Sequence, residues 1–176
     1  MVTAPERVWW RVPVSRAEMV WIVLAFLLVM VFFSLWMALW HGIGRQNATG
    51  AAYKVAPQTY REEVFAFARQ WKVGEENGIP VVAPPPGSHV YLLAQRFSWY
   101  PILKLKAGET YHLHMASTDV LHGFSLSPHQ WAIQLYPGYE WVMSFTPDKP
   151  GTYHIICNDF CGLGHQTMLG KIIVEG

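Results

Sequence analysis

Cysteine is scarce. Two occur in 176 residues, Cys157 and Cys161, too few to frame a disulfide-stapled fold. Net charge is also lacking: 13 Lys and Arg against 12 Asp and Glu leave +1, so there is no basic field to attract nucleic acid. No G-x-G-x-x-G or P-loop run is present and no segment repeats, which removes the usual phosphate-cradling and solenoid readings. The C-x-x-C-H run that attaches haem is missing as well.

Apolar residues, by contrast, make up 52% of the chain, high for a soluble domain unless part of it lies in a membrane. Met19–Trp40 contains no charged residue. The stretch 20–40 would extend roughly 31 Å as a helix, close to the ~30 Å of a bilayer core. Trp9, Trp10 and Trp21 at one end and Trp36 and Trp40 at the other suit interfacial anchors. The run is too long for a signal peptide and no small-residue cleavage site follows. Residues 1–45 are therefore expected to be a membrane anchor, with a single spanning helix over about 18–41. Arg7, Arg11 and Arg16 before the span, against Arg45 and Lys54 after it, favour a cytoplasmic N-terminus and an external C-terminal domain.

Residues 46–88 read as a linker. Within it, Val64, Phe65, Ala68 and Trp71 fall at helical spacing over Thr59–Lys72, predicting a short amphipathic helix that lies on a partner, on the membrane surface or on its own domain. The run Pro84-Pro85-Pro86-Gly87 marks a boundary. From residue 89 onward, short runs rich in Val, Ile, Leu, Tyr and Phe alternate with Gly and Pro turn signals. Strands are predicted over 90–97, 102–106, 110–117, 131–135, 141–145, 152–157 and 169–175. In Tyr111-His112-Leu113-His114-Met115 the apolar residues face one way and the histidines the other. About seven such strands imply an all-β Greek-key sandwich or barrel.

Chemistry concentrates between the last two predicted strands. Cys157, Cys161, His165 and Met168 follow at intervals of four, four and three residues, and His122 supplies a further donor upstream. Thiolate and thioether are soft and imidazole is borderline, so the set suits copper better than calcium, magnesium or manganese. Zinc would accept two Cys and two His, but it leaves Met168 without a role. A one-copper electron-transfer site uses one Cys, two His and a weak Met; the second Cys suggests a second copper with both sulfurs shared. Taken singly, the Cys pair could be a disulfide, the histidines structural and Met168 plain core. Gly162 and Gly164 would let the loop turn tightly.

Over roughly residues 90–176 the sequence resembles subunit II of cytochrome c oxidase, of the short, single-span type in the haem–copper oxidase superfamily. The resemblance is carried by Asp119–Phe124, Pro137-Gly138, Pro150-Gly151 and above all the run from Cys157 to Gly170. It implies a cupredoxin-like domain over 89–176 holding a binuclear copper (CuA) centre. Cys157 and Cys161 would bridge the coppers, His122 and His165 would bind one each, and Met168 and the backbone carbonyl of Asp159 would be weak ligands. Many family members carry Glu where Asp159 stands, helping to hold magnesium; with the shorter Asp no magnesium site is expected. Trp99 and Trp131 are candidates for the route by which electrons arrive, and Asp119 for orienting His122.

The resemblance further implies a cell-membrane, single-pass subunit with its domain on the periplasmic or extracellular side. Its electrons would come from cytochrome c or a small copper protein and pass to haem in subunit I, where dioxygen is reduced. No residue here would itself be catalytic. A CuA subunit of a nitric oxide reductase is the alternative, because the gas never meets this chain. A copper chaperone fits a closed loop site less well.

Overall fold

The computed structural model describes residues 13–44 and 50–176. Trp9, Trp10, Arg7, Arg11 and Arg45, read above as interfacial anchors and orientation-setting charges, lie outside them. The chain divides into two compact units, 1–46 and 47–176.

The first unit holds one helix, α1 (Arg16–Ile43), long and apolar enough to cross a membrane. It includes a wider π turn over Leu28–Phe33. Ser15 caps its start reciprocally: the Glu18 amide donates to the Ser15 hydroxyl at 3.2 Å, and the Ser15 amide donates to the Glu18 carboxylate at 2.7 Å. Such a capping box satisfies two backbone donors that the first turn would otherwise leave open. No side chain of α1 is buried, and its apolar residues run all round it.

The second unit is a two-layer β-structure. Its strands are β1 (Ala51–Lys54), β2 (Lys72–Glu76), β3 (Ile79–Val82), β4 (His89–Gln95), β5 (Ser98–Tyr100), β6 (Ile102–Lys106), β7 (Tyr111–Ser117), β8 (His122–Ser127), β9 (Trp131–Leu135), β10 (Tyr139–Phe145), β11 (Gly151–Cys157) and β12 (Leu169–Glu175). A five-stranded sheet runs β1-β10-β7-β4-β5, and a seven-stranded sheet runs β2-β3-β6-β12-β11-β8-β9. Both are mixed: β4 pairs with β7, and β6 with β3 and β12, in parallel. Alternating residues of the two sheets meet in one core that includes Val90, Leu92, Leu113, Met115, Leu103, Phe124, Ile155 and Ile172. The all-β sandwich expected from the strand pattern is the fold observed.

The stretch read as a linker differs from that reading. Residues 51–82 supply β1, the helix α2 (Pro57–Trp71), β2 and β3. The three strands are hydrogen-bonded into the two sheets, β1 on β10 and β3 on β6. The predicted helix is present, and it packs on its own domain. Tyr60, Val64, Phe67 and Ala68 are buried, and the Tyr60 hydroxyl donates to the Leu92 carbonyl at 3.1 Å. The physical reason is the stripe at positions 60, 64, 67 and 68, turned from the one read at 64, 65, 68 and 71: Tyr60 and Val64 cover Leu93 and Ala116 on the outer face of the five-stranded sheet, and Phe67 and Ala68 join the main core.

Candidate metal centre

Three neighbouring strands of the larger sheet, β12, β11 and β8, bring the donors to one end. β11 ends at Cys157, which lies opposite Phe124 of β8. β8 opens at His122, and β12 begins one residue after Met168. His122 thus stands on a strand, not in a loop as its neighbours in sequence suggested. The connection 158–168 folds back over this end. Its Asn158 amide donates to the Gly123 carbonyl at 3.1 Å, and the Cys157 amide to the Met168 carbonyl at 3.3 Å. Gly123 is needed for this closure: a Cβ there would stand 2.1 Å from Asn158 Oδ1 and 2.7 Å from the Asp159 amide nitrogen. Arg96 braces the connection from outside, its Nε donating to the Cys161 carbonyl at 3.1 Å.

All six predicted donors converge. Cys157 Sγ and Cys161 Sγ are 3.7 Å apart. His122 Nδ1 is 3.8 Å from Cys157 Sγ, and His165 Nδ1 is 3.6 Å from Cys161 Sγ. Met168 Sδ is 3.8 Å from Cys161 Sγ, and the Asp159 carbonyl oxygen is 3.2 Å from Cys157 Sγ. Two sulfurs each about 2.3 Å from one tetrahedral ion would stand roughly 3.8 Å apart, so the thiol pair fits a shared metal. A disulfide would need about 2.05 Å, and both cysteines are free. The donor atoms of His122, Cys157 and Cys161 all lie within 4.8 Å of one another. His122, Met168 and both cysteines are buried; His165 and Asp159 are half-buried.

Asp119 stands behind His122. Its carboxylate lies 2.8 Å from His122 Nε2 and accepts from the backbone amides of Arg96 and Val120 at 2.8 and 2.7 Å. Partial burial alone would raise the Asp119 carboxyl, but the hydrogen bonds from Arg96, His122 and Val120 together hold it below its ordinary value. The carboxylate therefore fixes the tautomer that turns Nδ1 toward the cysteines. Burial, and then the adjacent Cys157 sulfur, push the Cys161 thiol up to about 11. A metal ligand must be a thiolate, so uptake of copper by the metal-free chain at pH 7 should expel the Cys161 proton. A weakly buffered titration with a pH indicator should show acidification on copper addition and tighter uptake as pH rises; no proton release would mean that the thiol is already ionised.

The two tryptophans fare differently. Trp99 is buried beside the site, edge-on to His122 with ring centroids 6.4 Å apart, and so cannot itself meet a partner. Trp131 pairs with Leu126, while His122 pairs with Leu135. That separation of four residues, about 13 Å along a strand, puts Trp131 at the far end of the β8–β9 hairpin. The surface over the site is instead apolar and belongs to the donor loop and the first residue of β12: Phe160 is 74%, Leu163 94% and Leu169 64% exposed. Phe160 lies edge-on to His165 at 5.9 Å. Sequence reasoning missed these three residues, although apolar side chains interleaved with metal donors in a turn-rich segment were the available signal.

Fold and donor set together define a cupredoxin-like copper protein, whose chain also carries a helix long and apolar enough to cross a membrane. Residues 102–176 match the family described as cytochrome C oxidase subunit II, periplasmic domain. Two curated relatives, both cytochrome c oxidase subunit 2 of Thermus thermophilus, are 34% identical over 128 residues, 72% of this chain and 89% and 71% of theirs. The cryo-EM structure of a heme-copper terminal oxidase dimer includes a chain that superposes with a TM-score of 0.54 at 26% identity, covering 91% of this chain and all of the other. The chain belongs to the cytochrome c oxidase subunit II family.

Proposed function

We propose that this chain is the electron-accepting subunit of a haem–copper terminal oxidase, taking electrons from cytochrome c or a small copper protein and delivering them to haem in subunit I for dioxygen reduction. The carrying observation is the convergence of two cysteines, two histidines, a methionine and one backbone carbonyl at the end of β11, the cysteine sulfurs 3.7 Å apart. Cys157 and Cys161 would bridge two copper ions, His122 and His165 would each hold one, and Met168 and the Asp159 carbonyl would complete the set as weak donors. Bound there, the copper pair would supply reversible one-electron redox chemistry. The protein's own part is rigidity: sheet strands, loop hydrogen bonds and the Asp119–His122 contact hold the donors in one arrangement, so little has to move when charge changes. The exposed Phe160, Leu163 and Leu169 offer a redox partner an apolar contact next to His165. Helix α1 would anchor the domain on the periplasmic or external side, with the N-terminus cytoplasmic.

Electron paramagnetic resonance on the full chain in detergent, with copper content, tests the reading. Hyperfine structure from one electron shared over two copper nuclei is expected. A single-copper pattern, or zinc and no signal, would reject it. Met168→Leu should retain both coppers and shift the reduction potential, because weak axial donors tune it. A variant devoid of copper would instead give Met168 a main share in holding the metal.

A further inference from the structure

A second group of donors lies on the other sheet. β4 and β7 run parallel, with His89 opposite His112 and Tyr91 opposite His114. The two-residue period puts Val90, Leu92, Leu113 and Met115 into the core and the three histidines on the outer face. On the far side of β7, β10 brings Glu140 opposite Ala116, one diagonal step from His114. His114 Nδ1 is hydrogen-bonded to the Glu140 carboxylate. His114 Nε2 is 2.6 Å from His89 Nδ1. The His112 ring is stacked on His89 with centroids 5.0 Å apart, and Tyr91 stacks on His114 at 4.6 Å.

The proton positions follow from the carboxylate. An ionised Glu140 can only accept, so His114 Nδ1 carries the hydrogen and Nε2 of the neutral ring presents a lone pair. A histidine whose far nitrogen is fixed by a carboxylate is the usual arrangement of a metal ligand. Two imidazole nitrogens on one ion, each bonded at about 2.0–2.1 Å, stand roughly 3 Å apart. Opening the His89–His114 contact by a few tenths of an ångström reaches that value, and His89, exposed at the start of β4, is free to make the adjustment. Hydrogen bonding alone would account for Glu140, His114 and His89 but gives no role to His112, held against His89 on an open face. We propose that His89 and His114, with Glu140 fixing His114 and His112 joining them by a turn of its partly exposed ring, form a second site for a divalent transition-metal ion of the zinc, copper(II) and nickel class, which imidazole donors select over magnesium or calcium; as the rings stand, the nitrogens of the three histidines do not all lie within 4.8 Å of one another.

Copper(II) is the probe of choice because it binds such donors most tightly among these ions. One equivalent is added to the copper-loaded full chain in detergent, with glycine as a weak competitor. The expected result is a new axial resonance signal with nitrogen hyperfine structure from at least two imidazoles, apart from any signal of the cysteine site. His89→Ala and His112→Ala should each weaken this binding tenfold or more, and Glu140→Gln roughly 10-fold, as loss of an outer carboxylate does elsewhere. His154→Ala, which removes an exposed histidine on the other sheet, should leave it unchanged. His89 and His112 lie outside the core, so unchanged melting of these variants serves as the folding control. The site is overturned if no nitrogen-coupled signal appears, if His89→Ala binds as the unmodified chain does, or if His154→Ala weakens binding equally.

Discussion

Cys157→Ser and Cys161→Ser should each abolish the two-copper centre and, with it, electron delivery to subunit I. The sulfur that remains could still hold one ion, together with His122, His165 and Met168, since one Cys, two His and a weak Met make a one-copper set. Copper per chain should therefore fall to one at most, and the spectrum should change from shared to single-nucleus hyperfine structure. A serine oxygen is a harder donor than thiolate and would not restore the bridge. Both cysteines are buried, and burying an unsatisfied hydroxyl costs about 1–3 kcal/mol. Melting of the metal-free variants separates that loss from the loss of copper. An unchanged copper spectrum in either variant would remove the bridging assignment.

The donor set was legible in the sequence because its geometry is local. Five of the six donors lie within twelve residues, 157–168, and their intervals specify a loop more than a fold. His122 was recognisable as a donor; its strand was not among those predicted, although Phe124 and Leu126 alternate with Gly123, Ser125 and Ser127 over a run that is short and weakly apolar. Strands β6, β9 and β12 match their predicted limits. β1 and β2 escaped because they sit on sheet edges with mostly exposed side chains, so Ala51–Lys54 and Lys72–Glu76 carry no period-two signal at all. The linker reading failed there for the same reason: edge strands are specified by the partner's backbone, not by their own side chains. Where Trp131 stands relative to the donors was not legible, because only the register of the β8–β9 hairpin carries it to the end opposite His122. The apolar rim of Phe160, Leu163 and Leu169 becomes meaningful only once exposure is known.

Gly164→Ala is the second substitution expected to act strongly, and it does so without touching a donor atom. Gly164 has φ +121°, a backbone conformation that L side chains rarely adopt. A Cβ there would also stand 2.8 Å from the Phe97 ring. The residue precedes His165, and the Thr167 amide donates to its carbonyl at 2.9 Å, so relief of the strain would rotate the segment that carries His165 and Met168. Holding a non-glycine residue in such a conformation costs about 1–3 kcal/mol. Melting should fall accordingly, and the copper-loaded form should lose metal to a chelator faster than the unmodified chain. The steric and backbone contributions can be separated. Phe97→Ala in the Gly164→Ala background removes the clash but not the unfavourable φ. Partial recovery of copper retention would assign the remainder to the backbone; full recovery would mean that the ring contact alone requires glycine here. Retention equal to that of the unmodified chain in the single variant would show that the loop reaches its donor geometry by another path.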